Sequence, residues 1–463
     1  MSNYQFSLKP QKVPPVKTKY RVIKTALPSK EGLEDIKKLQ RYSTHFANDL
    51  MPLAWFPLVW HKAVDFNVFD RAGNKWIDFT SGIIVANVGH SNEKIKKAIK
   101  NQIDQDMLHA YNYPTEIRAN FLAKLISATH PYGEKAALFS SGTEASECIL
   151  LIMQANGYKI NKKRIGVLSF QNAMHGVTMG AQMLKGNKKV LPVYGFRDPN
   201  IFHLPFPFSW DKEVDWAKQF DNDMTEQVKR GVKIENLCGI MLEAFQGWGA
   251  LFYPQAYIDG LVKFAGTNKL LIAVDEIQGG CGRTGKMFAF EHYKLRPDLI
   301  AMGKGLSSSL PLSAVIGSKK LLALAEEFDV DHSTHSGNPL SCAAGLANLE
   351  ELQSRNLIKE SARKGKILLA GLNNLKRKFP DRIAHVFGKG LLAAVLFKDP
   401  KTGEPEGEFP SRVCERAMQK GLLLVHTGRE SIKIAPPLTI PDSALKEGLS
   451  VLEKSIVELD KSL

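Results

Sequence analysis

At 463 residues the chain is longer than one hydrophobic core usually grows, so two or three domains are expected. Hydrophobic residues at 44% and charged residues at 24% suit an ordinary globular protein, and no stretch approaches the roughly 18 apolar residues of a membrane helix. The net charge of +15 is spread over helical runs such as NEKIKKAIKNQ and a proline-bearing arm at 7–24, which argues for anionic small molecules and against nucleic acid.

Residues 1–89 open with a segment that lacks the apolar centre of a secretion signal. They then show period-two alternation in AVDFNVFDRAGNKWIDFTSG, broken at Ala72-Gly73-Asn74 as in a hairpin. Between about 90 and 345, short apolar runs alternate with helix-period segments such as TEASECILLIMQANG. The runs are AALF (136–139), IGVLS (165–169), CGIML (238–242), LLIAV (270–274) and LIAM (299–302). Such alternation implies βαβ units and a mostly parallel sheet covered on both faces. Residues 346–463 mix amphipathic helices with short strands in GKGLLAAVLF and SIKIAPPLTI. The expected fold is α/β, with a large domain at 90–345 and a smaller α+β domain built from both termini. Five scattered cysteines (Cys148, Cys238, Cys281, Cys342, Cys414) show no CxxC pair or zinc spacing, as expected of reduced thiols in a cytoplasmic protein without a metal site.

In open α/β sheets ligands bind beyond the carboxyl ends of the strands, and each apolar run here leads to a polar group. AALF leads to Ser140-Ser141-Gly142-Thr143-Glu144, a turn opening a helix. Its free N–H groups and dipole suit a phosphate, although Ser-Gly-Thr before a helix, taken alone, is more often a simple N-cap. IGVLS leads to His175, CGIML to Glu243, LLIAV to Asp275 and LIAM to Lys304, which lies between Gly303 and Gly305. The two glycines are expected to bend the backbone tightly and bring the amine into a crowded site. Pyridoxal 5′-phosphate needs a phosphate nest, a lysine for its aldehyde and an acid against its ring nitrogen. Lys304 and Asp275 suit the last two.

Eight segments in order carry a resemblance over about residues 55–445: WIDFTSGIIVANVGH, SSGTEAS, MHGVTMGA, LEAFQGWGA, VDEIQGGCGRTG, MGKGLSSSLPLSAVIG, STHSGNPLSCAA and IKIAPPL. The chain resembles the class III (ω-amino acid, 4-aminobutyrate-like) aminotransferases, pyridoxal-phosphate enzymes of fold type I. The resemblance implies that Lys304 forms the Schiff base and then serves as the base, with Asp275 on the ring nitrogen. It further implies that Gln278 bonds the ring hydroxyl, that Ser141, Gly142 and Thr143 hold the phosphate, and that Met174 stacks on the ring beside His175 and Glu243. Thr334 would reach the phosphate of a neighbouring subunit, so a homodimer or tetramer with composite sites is implied. Trp55, Phe56, Tyr111 and Tyr113 would line the substrate pocket. The implied reaction moves an amino group from an amine or ω-amino acid to a 2-oxo acid in two half-reactions. Racemase or epimerase chemistry, found in the same family, is the alternative.

Three positions depart from the family pattern. Met174 stands where the stacking residue is usually aromatic. Trp248 stands five residues after Glu243, where the 4-aminobutyrate and ornithine branches carry a glutamate that engages a switch arginine. Lys433 stands in the place of that arginine. A lysine attracts a carboxylate as a point charge without the bidentate fork, and Trp248 adds apolar surface to the substrate pocket. Alternatively Trp248 packs away from the site and Arg429 supplies the switch.

Overall fold

The computed structural model describes residues 4–43, 56–186, 191–210 and 212–460. A seven-stranded sheet lies at its centre: β1 (Lys135–Phe139), β2 (Gly166–Phe170), β3 (Ile201–Leu204), β4 (Leu237–Glu243), β5 (Leu271–Asp275), β6 (Leu299–Met302) and β7 (Ser313–Gly317). The spatial order is β1-β7-β6-β5-β4-β2-β3. Every pairing from β6 across to β3 is parallel, whereas β7 runs antiparallel to both β6 and β1. All five expected runs are strands. β3 and β7 are additional, and SAVIG of β7 follows a Ser- and Pro-rich stretch that reads as loop.

The strands β2, β4, β6 and β7 are buried at every residue, so they carry continuous apolar runs. Alternate residues serve opposite faces. Met241, Ala273, Ala301 and Val315 share a cluster with Ile149, Ile152 and Met153 of helix α1 (Gly142–Ile160). Ile240, Leu242, Val274 and Ile300 belong instead to the cluster containing Phe121, Tyr257 and Phe290. The register pairs Glu243 with Asp275 and Asp275 with Ala301. By the same parity both acids emerge on the α1 face, at the carboxyl edge of the sheet.

Two smaller sheets flank this centre. In the first, Lys62–Val64, Asn67–Phe69 and Lys75–Asp78 form an antiparallel meander, with the expected turn at 72–74. Asp70 holds that turn by accepting the backbone N–H of Asn74 at 2.8 Å and its Nδ2 at 2.7 Å. Leu422–Leu423, from far along the chain, joins Lys75–Asp78 in parallel. The second sheet comprises Ile383–Lys389, Leu392–Phe397, Ser431–Ile434 and Val425–His426, all antiparallel.

Arg283 ties these parts together. It is fully buried and donates to the carbonyls of Leu391 (3.1 Å) and Pro436, to Ser81 Oγ (3.2 Å) and to Asn87 Oδ1 (2.6 Å). Replacing it with methionine strands those acceptors in the interior. Arg283→Met is expected to destabilise the chain by at least about 3 kcal/mol and to lower the thermal unfolding midpoint. A midpoint within about 1 °C of the wild type would contradict this role.

Candidate active site

After Met302 the chain turns through a short 3₁₀ segment, Lys304–Leu306. Lys304 has φ +41°, a left-handed conformation that costs a residue with a Cβ about 1–2 kcal/mol. Gly303 is extended at φ −173°, which any residue adopts, and a Cβ there would meet nothing closer than 3.4 Å. At Gly305 a Cβ would fall 2.4 Å from Asn87 Nδ2. The bend expected of the two glycines is thus made by Lys304 itself, and Gly305 is the glycine required for close approach.

A cavity of about 360 Å³ opens at this edge, and Lys304, Gly142, Thr143, Met174, His175 and Ile277 are among the residues lining it. Burial pushes the Lys304 amine below the ordinary lysine value, against the opposing pull of Asp275 and Glu243. Among the described residues the amine has no hydrogen-bond partner.

The two acids hold the loop after β2. Asp275 Oδ2 accepts a hydrogen bond from His175 Nδ1 at 2.9 Å, and its Oδ1 accepts from the Ile277 N–H at 2.9 Å. A carboxylate in this position makes Nδ1 the proton-bearing ring nitrogen. Glu243 accepts the Met174 N–H at 3.0 Å, and burial raises its carboxyl to about 7. Met174 itself is 45% exposed, on the cavity wall.

At the start of α1 the N–H and hydroxyl of Ser141 both donate to Glu144 Oε2 at 2.8 Å. Ser141 is thus the N-cap residue of α1, with its hydroxyl and its N–H both turned to the Glu144 carboxylate. Thr143 Oγ1 bonds Thr178 Oγ1 at 2.6 Å and accepts the N–H groups of Val177 and Thr178 at 3.3 Å. The first N–H groups of α1 have no acceptor within the helix, and Gly142 and Thr143 bring them to the cavity.

Gln278, Trp248 and Lys433 form a second group, linked through Gly247, and do not line the cavity wall. Lys433 is buried, and its amine donates to the Gly247 carbonyl at 2.7 Å and to Gln278 Oε1 at 3.1 Å. Burial, with Lys304 nearby, lowers it to about 8, and Glu243 opposes that shift. The Trp248 indole donates to Gln246 Oε1 at 2.8 Å, and the Arg429 guanidinium lies 3.5 Å over the indole ring. Arg429 also reaches Glu430 at 3.2 Å.

The remaining sequence candidates lie off the cavity wall of the single chain. Phe56 packs on Phe6 with centroids 5.0 Å apart. Tyr111, Tyr113 and Thr334 are exposed. Trp55 falls outside the described residues. Two asparagines at the Lys304 turn, Asn87 and Asn348, escape sequence reasoning because nothing in their local sequence marks them.

Anion-binding N–H groups and an unpartnered amine line one cavity, the Asp275 carboxylate lies buried behind the lining His175, and this donor set fits pyridoxal phosphate. Space at Gly305 supports the turn that carries the amine. Gly305→Ala is expected to cost about 1–3 kcal/mol through the clash with Asn87, whereas Gly303→Ala stays close to neutral. Thermal unfolding of the two variants checks this, and equal effects would contradict it.

The sequence profile of the family "Aminotransferase class-III" matches residues 53–456. The chain is 34% identical over 415 residues to a probable 4-aminobutyrate aminotransferase of Bacillus subtilis, covering 85% of this chain and 92% of that one. It is 31% identical over 438 residues to a leucine/methionine racemase of Thermococcus litoralis, covering 91% and 96%. A solved transaminase of the marine bacterium Virgibacillus matches with a TM-score of 0.82 at 21% identity, covering 93% and 99%, a likeness of fold. By its profile and these relatives, the chain belongs to the class III aminotransferases, pyridoxal-phosphate enzymes of fold type I.

Proposed function

We propose that this aminotransferase takes an amino group from an amine or ω-amino acid of the 4-aminobutyrate kind and delivers it to a small 2-oxo acid. Pyruvate or a small aldehyde is preferred over 2-oxoglutarate. The donor class is supported by the relative named for 4-aminobutyrate. The acceptor preference rests on one observation: an indole carrying a stacked guanidinium occupies the position where an acid would hold a switch arginine. Arg429 is engaged with Trp248 and Glu430, and Lys433 has two of its three protons on Gly247 and Gln278. Neither cation is set to fork onto a second carboxylate.

Bound pyridoxal phosphate supplies an aldehyde that condenses with amines and a ring that accepts the electron pair left when the substrate Cα loses its proton. The protein's residues do the rest. Lys304, whose proton affinity burial lowers, would carry a proton to and from Cα. Asp275, braced by His175, would keep a proton on the ring nitrogen. The N-terminus of α1 and Thr143 would bind the phosphate, and Met174, its backbone anchored by Glu243, would pack on the ring as a thioether. Gln278, whose side-chain oxygen Lys433 holds, would offer its amide N–H to the ring hydroxyl. Composite sites in a homodimer, with Thr334 of a second copy at the phosphate, belong to this proposal and are supported by the exposure of Thr334. A reducing, cytoplasmic setting is supported by five buried, unbridged thiols.

Racemisation or epimerisation of an amino acid is the second reading, supported by the racemase relative from Thermococcus litoralis. Exchange of Cα hydrogen in deuterated solvent, with inversion and no net amino transfer, would favour it.

Lys304→Ala is expected to lose at least about a thousandfold in turnover, together with the visible absorbance of the lysine-bound cofactor, and to keep its far-ultraviolet circular dichroism. Ordinary turnover in that variant would overturn the assignment. Recovery of the visible absorbance by the amino-loaded enzyme should be at least about tenfold faster with pyruvate than with 2-oxoglutarate. Rapid recovery with 2-oxoglutarate alone would contradict the acceptor preference.

A further inference from the structure

We infer that Asn348 is a positioning residue that holds the Lys304 turn in its left-handed form and so keeps the amine in the cavity. The inference rests on the reading of Lys304 as the functional amine. Asn348 lies in helix α2 (Pro339–Ser354), which is capped by Asn338 and has Pro339 in its first turn. The Asn348 side chain is fully buried. Its Nδ2 donates to the carbonyls of Gly305 and Leu306, each at 2.9 Å. Its Oδ1 accepts the hydroxyl of Ser308 at 2.7 Å. Ser308, at φ +56°, is a second left-handed residue with a Cβ, and its Oγ also accepts the Val88 N–H at 3.4 Å. Asn87 also lies close against Gly305 and is itself held by Arg283 at 2.6 Å. One amide therefore bridges the segment between two disfavoured backbone positions.

The chemistry suits an amide. Two N–H bonds serve two carbonyls, and one oxygen serves a hydroxyl. An aliphatic side chain of the same size would leave both carbonyls, and the proton of the Ser308 hydroxyl, buried without a partner. Left-handed conformations at non-glycine residues persist where the surroundings over-determine them. Without the amide, the turn is free to relax and the Lys304 amine to swing out of the enclosure that depresses its proton affinity. The other charged groups acting on that amine are Asp275 on β5, Glu243 on β4 and Lys433 on the strand Ser431–Ile434, while His175 on the loop after β2 lines the same cavity. None of them is altered by changing residue 348.

The test uses the full chain without cofactor and needs no turnover. Acetylation of Lys304 by acetic anhydride is followed against pH by peptide mass spectrometry in the wild type, Asn348→Leu and Ser308→Ala. The wild-type midpoint is expected below that of the exposed lysines in the same digest. Asn348→Leu should raise it by about one pH unit, and Ser308→Ala should move it the same way by less. If Asn348→Leu fails to fold, the Ser308→Ala profile decides. Variants that lose stability but keep the wild-type midpoint would make Asn348 merely structural and overturn the inference alone. A wild-type chain that stays colourless with pyridoxal phosphate would overturn the reading of Lys304 instead, and the inference with it.

Discussion

Lys304 leaves the central sheet in a left-handed conformation and encloses its amine beside two carboxylates, and the charge on that amine is set by opposing forces. Desolvation favours the neutral form and can move a fully buried lysine by several units, whereas nearby acids favour the ammonium. Here burial wins over Asp275 and Glu243. A neutral amine is what condensation with an aldehyde and removal of a proton both require. The elements around Lys304 can be understood by how they keep it dry and in place.

Sheet parity supplies the acids. Glu243 and Asp275 are neighbours in register on adjacent parallel strands and emerge on the same face. A slip of one residue in either strand would turn its acid to the opposite face. Each acid then holds one residue of the loop after β2, Met174 by its backbone and His175 by its ring. Loop and sheet edge are thereby joined at the cavity wall that Met174 and His175 share with Lys304 and the start of α1. Arg283 and the two asparagines connect this edge to segments far apart in the chain, so the geometry of the site is bound to the packing of the flanking sheets.

Much of this architecture is legible in the sequence. Parallel strands buried on both faces read as continuous apolar runs, and the polar residues that end those runs mark the site. The hairpin at Ala72-Gly73-Asn74 is legible for the same local reason. Other features depend on contacts that sequence does not display. SAVIG is a strand because it inserts between β1 and β6, a tertiary fact. Gly303 reads as a hinge, yet the unusual backbone belongs to Lys304, because Asn348 and Asn87 grip the turn from residues distant in sequence. The departures at Trp248 and Lys433 are visible as residue types. Their partners, Arg429 and Gln278, are set by where the second flanking sheet docks.

The claim on which the account turns is that one lysine bears the cofactor. Borohydride reduction of the pyridoxal-phosphate-loaded protein, followed by digestion and mass mapping, tests it most directly. The reduced phosphopyridoxyl group is expected on the peptide containing Lys304. An adduct confined to another lysine, with Lys304 unmodified, would contradict it.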